Sequence, residues 1–308
     1  MNRKLLLLPG IMASLLAAHV RLWAQTPTDA LMMNKGQICV AVAYTHDTWD
    51  HYWEGALHRD NGNIGTLTRQ TVAPMFALGI TDRINVLGAL PWVKTGASAG
   101  QLAGVQGLQD FGIWAKVKAL DKPLGPGDFQ LFGVAGFSGP ASDYLSDYMP
   151  LNLGLASYEG TLRAIVQYQF DQGFYVHSQA GYHLRSNTEI ERDFYYTTHA
   201  IYSNKVDVPD AISWDVAAGS WLFDNALRAE ARVEGMTSLS GNDIRRQDAP
   251  FPANRMVSTR VGAFAQYYTP WVKGLSVLAS GSYTVSGRNV GQSTAFTGGI
   301  AYQFGLWK

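Results

Sequence analysis

The sequence predicts an all-β chain: an up-and-down antiparallel transmembrane β-barrel of about twelve strands, with long extracellular loops and short periplasmic turns. Three observations predict it. Apolar and polar residues alternate with the period of two that a strand imposes, in segment after segment. Tight turns and long polar loops alternate between those segments, and aromatic residues gather beside the tight turns.

Composition agrees. The 308 residues carry 32 glycines, 15 tyrosines, 13 phenylalanines and 9 tryptophans, with 16 % charged residues and 47 % hydrophobic ones. Lipid-facing and lumen-facing positions average to such values in a barrel. Residues 1–24 read as a signal peptide: Arg3 and Lys4 open it, Leu5–Leu8 and Ile11–Ala18 form its apolar core, and Leu22-Trp23-Ala24 precedes cleavage before Gln25. His19 and Arg21 make that run too short for a membrane-spanning helix. Without Arg3, Lys4 and Arg21, 21 of the 24 bases face 24 acids, a net charge of −3 that implies no nucleic-acid partner. The lone Cys39 excludes an internal disulfide framework.

In chain order, residues 25–36 form a short periplasmic N-terminal segment, and the barrel domain occupies 37–308. Strand one starts at Gln37, with Ile38, Val40, Val42 and Tyr44 on one face and Cys39, Ala41, Ala43 and Thr45 on the other. Strands two to five cover about 67–79, 84–94, 108–119 and 127–137. Strands six to nine cover about 159–170, 173–185, 211–223 and 226–236. Strands ten and eleven cover about 256–268 and 274–285, and strand twelve runs to Phe304 after a loop at 286–292. Strand nine gives the cleanest alternation, with Leu227, Ala229, Ala231 and Val233 set against Arg228, Glu230, Arg232 and Glu234. Tyr168, Phe170 and Phe174, Trp221 and Phe223, and Tyr267, Tyr268 and Trp271 form an interfacial girdle at the tight turns.

Chemistry-bearing motifs are sparse. His183 and Ser186 are three residues apart and so fall on opposite faces of a strand, which excludes the His-x-Ser pair of a lipid-modifying barrel enzyme. The cluster His46, Asp47, Asp50, His51 and Glu54 stands above the bilayer without a metal-ligand spacing, and Asp60-Asn61-Gly62-Asn63 is a turn rather than a calcium loop. No cofactor or metal is implied, and the chain reads as a non-enzyme. Charge concentrates on the lumen side instead. The alternation points Asp110, Lys116, Lys118, Arg163, His177, His183, Arg185, Asp215, Arg228, Glu230, Arg232, Glu234 and Arg260 inward, either as salt-bridged filling or as a path that selects solutes. The longest loop, 186–209, offers Phe194, Tyr195, Tyr196 and Tyr202 as a gate.

Two stretches resemble known families. Thr297, Gly299, Tyr302 and Phe304 resemble the terminal signal by which outer-membrane β-barrels meet their assembly machinery, apart from the added tail Gly305–Lys308. Gly79-Ile80-Thr81-Asp82 with Leu90-Pro91-Trp92-Val93, followed by Gly107-Leu108-Gln109-Asp110, resembles the outer-membrane proteins associated with the MetA pathway of phenol degradation in Gram-negative bacteria. Trp92 stands where that family has Tyr. This resemblance implies a barrel transporter and carries over no catalytic residue. The sequence thus leads to a monomeric channel or uptake protein of the outer membrane for small solutes, aromatic or amphipathic ones among them. The alternatives are a non-conducting structural or surface-binding barrel and, behind it, a lipid-modifying enzyme.

Overall fold

The computed structural model describes residues 25–244 and 250–307, so the expected signal peptide and Lys308 lie outside the described residues. Twelve antiparallel strands close into one barrel. They are β1 (Gln37–Trp49), β2 (Leu67–Thr81), β3 in two pieces (Ile84–Ala89 and Trp92–Ala97) and β4 in two pieces (Gln106–Leu108 and Asp110–Pro123). There follow β5 (Gly127–Pro140), β6 (Glu159–Phe170), β7 (Phe174–Arg185) and β8 (Ala211–Leu222). The last four are β9 (Leu227–Ser238), β10 (Val257–Tyr268), β11 (Leu275–Arg288) and β12 (Thr294–Gly305). Each pairs with its neighbours in sequence, and β12 returns to β1 with Ile38 opposite Phe304 and Val42 opposite Ile300, which leaves no open edge.

Several strands overrun the expected limits at the loop end. β1 continues to Trp49, so His46 and Asp47 belong to the wall rather than to the loop above it. A strand of 9–11 residues suffices to span the bilayer, roughly, so strands of 13 to 15 residues carry the wall beyond the lipid. Strand β3 breaks at Leu90-Pro91 because Pro91 has no N–H for the ladder. β4 answers with the unpaired Gln109, whose amide donates to the Pro91 carbonyl (2.9 Å).

The faces divide as a membrane barrel requires. Val40, Val42, Leu162, Phe296 and Ile300 are exposed on the outside, while Cys39, Ala41, Ile165, Gln303 and Ala301 are buried inside. Tyr168, Phe170 and Phe174 touch one another at one tight turn, and Tyr302 stacks on Phe304 at another place on the same rim.

Residues 25–36 are packed against the barrel. The segment folds into the short-turn end of the barrel, where Ala30, Leu31 and Met33 are buried. Ala30 joins Phe132, Val134 and Ile165, and Met33 joins Cys39, Ala77, Leu87 and Ala301. The chain enters past Gly79, where a Cβ would come within 2.1 Å of the Asn34 carbonyl; only glycine admits that crossing. Gly36, at φ 73°, turns the segment inward, and its carbonyl accepts from the Leu306 amide (2.7 Å) of the tail beyond β12.

Candidate functional site: the lumen

The lumen has a filled half and a less filled half, and the strand sequences decide which is which. On β4, β5 and β6 the inward side chains are Lys116, Phe132, Val134, Arg163 and Ile165, and these grip the N-terminal segment. The fully buried Lys116 ammonium donates to the Thr26 carbonyl (2.6 Å), the Asp29 carbonyl (2.7 Å) and the Asp29 carboxylate (3.0 Å). Three protons meet three acceptors, which is what allows a lysine and an aspartate to share a dry interior. Arg163 donates to the Pro27 carbonyl (3.2 Å), and the side-chain amides of Gln25 and Asn85 lie 2.8 Å apart. On β1, β2, β11 and β12 the inward residues are small, including Ala41, Ala43, Ala77, Ser280 and Thr297. A cavity of about 200 Å³ remains between them and the segment, bounded also by Arg228, Arg232 and Phe264.

The thirteen charged residues assigned inward fall into separate groups. Glu230 accepts from Arg228 (2.7 Å) and from Arg232, and the Tyr175 hydroxyl completes its shell (2.9 Å). Arg228 also lies over the rings of Tyr175 and Phe264, 5.5 and 5.3 Å from their centroids. His177 stands between Asp215 (3.1 Å) and Glu230 (3.8 Å). Nearer the loops, Glu159 accepts from Arg185 (2.8 Å) and lies 2.7 Å from His183 Nδ1. Arg260 and Glu234 approach to 3.9 Å, and Lys118 pairs with Asp121 (2.7 Å) at the short-turn rim. Asp110 accepts from the Tyr144 hydroxyl.

Tyr144 belongs to the loop between β5 and β6, residues 141–158, and this loop is fastened to the wall at the other mouth. Arg69 on β2 donates to the carbonyls of Asn152 (3.1 Å) and Leu153 (2.5 Å), and the Thr95 hydroxyl on β3 donates to that of Leu151 (2.7 Å). Leu151 and Leu153 are buried beneath. Burial, with the Asp110 carboxylate beside it, pushes the Tyr144 phenol well above its ordinary range and keeps it a neutral donor.

The aromatic residues of loop 186–209 are arranged differently. Tyr195 is buried in a cluster with Ile190, Val206, Phe251 and Ala253, stacked on Phe251 (5.4 Å), whereas Phe194, Tyr196 and Tyr202 are exposed. Tyr195 thus fastens one loop to another, and the residues that reach the lumen wall come from 141–158. Sequence reading gave neither this loop nor the N-terminal segment a place at the lumen, because neither alternates. Asp29, a lone acid inside a short apolar stretch, was the available signal.

His183 does not meet Ser186, whose hydroxyl accepts from the Tyr158 amide (2.9 Å). Its Nε2 lies instead 2.8 Å from the Ser213 hydroxyl on β8, so Ser213, His183 and Glu159 form a relay on the lumen side. Spacing along one strand could not reveal a group drawn from three.

No family model and no curated protein sequence matches the chain, so the resemblance of residues 79–118 to the phenol-degradation proteins rests on those residues alone. Among solved structures, the β domain of the Bordetella autotransporter Brka is 14 % identical over 88 % of this chain and 100 % of that one, with a TM-score of 0.50. An outer membrane channel from Pseudomonas putida F1 is 14 % identical over 91 % of this chain and 100 % of that one, with a TM-score of 0.72. The chain therefore has the fold of the outer-membrane β-barrels, closed by twelve strands.

Proposed function

We propose that the protein is a monomeric channel of the outer membrane that admits small solutes, aromatic or amphipathic ones among them, in narrow file past its N-terminal segment. The observation that carries this is the uneven lumen: small side chains on one side leave a cavity of about 200 Å³ beside a segment held to the other side by polar bonds and apolar contacts. A stable filler would be packed on every side. The likeness to the Pseudomonas putida F1 structure, which is an outer membrane channel, supports the same reading. The closing strand, with Tyr302 and Phe304, would deliver the chain to the barrel-assembly machinery.

Liposome swelling and planar-bilayer conductance with the purified protein test it. Small, discrete conductance steps and entry of single-ring solutes are expected. A bilayer carrying inserted protein and no current would favour a non-conducting structural or surface-binding barrel.

The Ser213–His183–Glu159 relay favours one second reading, ester hydrolysis inside the lumen. The relay faces away from lipid, so its substrate would be water-soluble rather than a membrane lipid. Hydrolysis of a nitrophenyl ester, abolished by Ser213→Ala, would establish it; equal background rates in both proteins would dismiss it.

A further inference from the structure

The geometry points to the cavity beside the N-terminal segment as a binding station for a small organic anion, a carboxylate carried on an apolar ring or short chain. This rests on the channel reading and names its substrate class.

Charge is the first ground. One carboxylate, Glu230, serves two guanidiniums, Arg228 and Arg232. Asp29, the acid on the N-terminal segment, is already bound to Lys116. The lining therefore holds one more positive than negative group at neutral pH, counting each in its ordinary ionisation. Arg228 is fully engaged by Tyr175 and Glu230 and fixed over Phe264. Arg232 is not: one NH₂ group donates to Glu230, while its buried Nε meets no acceptor among the described residues. Its side chain keeps a quarter of its surface exposed, so an incoming carboxylate can meet the N–H groups that Glu230 does not use.

Shape is the second ground. Besides the guanidiniums the cavity is bounded by Met75, Phe264 and Leu278, with Ala41 and Ala43. Apolar groups set among basic ones fit an amphipathic anion better than an inorganic ion or a sugar. A dry protein cavity of about 150 Å³ is known to hold a benzene ring, so about 200 Å³ accommodates a ring and its carboxylate.

The route in has the same character. Arg260, one step toward the loops, also has an Nε without an acceptor among the described residues, and its partner Glu234 stands 3.9 Å away. Anions arriving from the loop end would meet Arg260 and then Arg232.

Benzoate, benzamide and benzamidine share one shape and differ in charge, and they make the test. Binding to the protein in nonionic detergent is measured by calorimetry, and ion selectivity by the reversal potential in a salt gradient. Benzoate should bind at least about tenfold more tightly than benzamide, benzamidine should not bind, and the reversal potential should be that of an anion-selective pore. Arg232→Gln should bring benzoate down to benzamide's level, while Arg232→Lys keeps part of the preference; heat-modifiable gel migration confirms that both variants fold. Equal binding of the three probes, or a benzoate preference untouched in Arg232→Gln, would overturn the assignment. Benzoate binding to a protein that passes no solute would remove the channel reading and leave the site standing. Solute flux without benzoate preference would do the reverse.

Discussion

Lys116→Met should unseat the N-terminal segment without unfolding the barrel. The wild-type ammonium donates to two carbonyls and to the Asp29 carboxylate at 2.6–3.0 Å, with no exposed surface of its own. Methionine keeps the length of the side chain and removes its charge. Asp29 then keeps its bonds from the Leu31 amide (2.9 Å) and the Thr26 hydroxyl (2.8 Å) but lies buried without a counter-charge. Breaking a buried ion pair from one side costs about 3–5 kcal/mol. The chief apolar anchors are Leu31 and Met33, at 3 % and 0 % exposure. Each is worth about 1.5–3 kcal/mol when buried. The loss is thus as large as the anchoring that these two side chains supply, which favours release. Adding Asp29→Asn removes the stranded charge and should restore part of the seating. Single-channel conductance should rise severalfold in Lys116→Met, and proteinase K should trim the segment while sparing the barrel. Wild-type conductance together with full protection in that variant would refute the reasoning.

Three further outcomes are expected. Phe304→Asp changes an outward residue at the rim, where an acid costs about 0–1 kcal/mol; it should lower the amount of protein reaching the membrane while leaving the thermal midpoint of the inserted fraction almost unchanged, and normal membrane levels would sink the assembly role. Arg69→Ala removes two charge-assisted bonds to the loop 141–158, about 1.5–3 kcal/mol each, and should make that loop protease-sensitive and the current noisier; unchanged cleavage and noise would tell against a plug at that mouth. His51, outside the membrane, donates to Asp50 (2.7 Å) and faces Asp60 (2.9 Å), and the Asp50 bond raises its pKa; because the folded value is the higher one, its support for the 51–60 hairpin is complete in acid and fades as pH climbs through that raised value. Imidazole shifts followed by NMR should titrate later in the wild type than in Asp50→Asn, and coincident curves would remove the pairing.

What could be read from the chain alone follows from how local each signal is. Strands such as Glu159–Phe170 were legible to the residue because alternation and the turn after Phe170 both lie within the segment. The lumen face of Arg228 to Glu234 was legible for the same reason, since period two assigns sides without knowledge of neighbours. The partners of those residues were not. Lys116 meets Asp29 across 87 positions, and His183 meets Ser213 across 30, distances over which pairing depends on the closed barrel and not on any pattern. The 141–158 loop was passed over because its fastening to Arg69 and Thr95 runs through its own backbone carbonyls, which every sequence has. Loop 186–209 drew attention through its aromatic content, yet Tyr195 spends its ring on Phe251.

The bond between the Leu306 amide and the Gly36 carbonyl ties the hinge of the inserted segment to the last strand laid down. A Cβ on Gly36 would fall 2.3 Å from the Trp307 carbonyl, so the two stretches meet at a distance that only glycine allows. The tail beyond β12 and the segment before β1 are thereby joined at the seam of the barrel, so a change in either is felt by both.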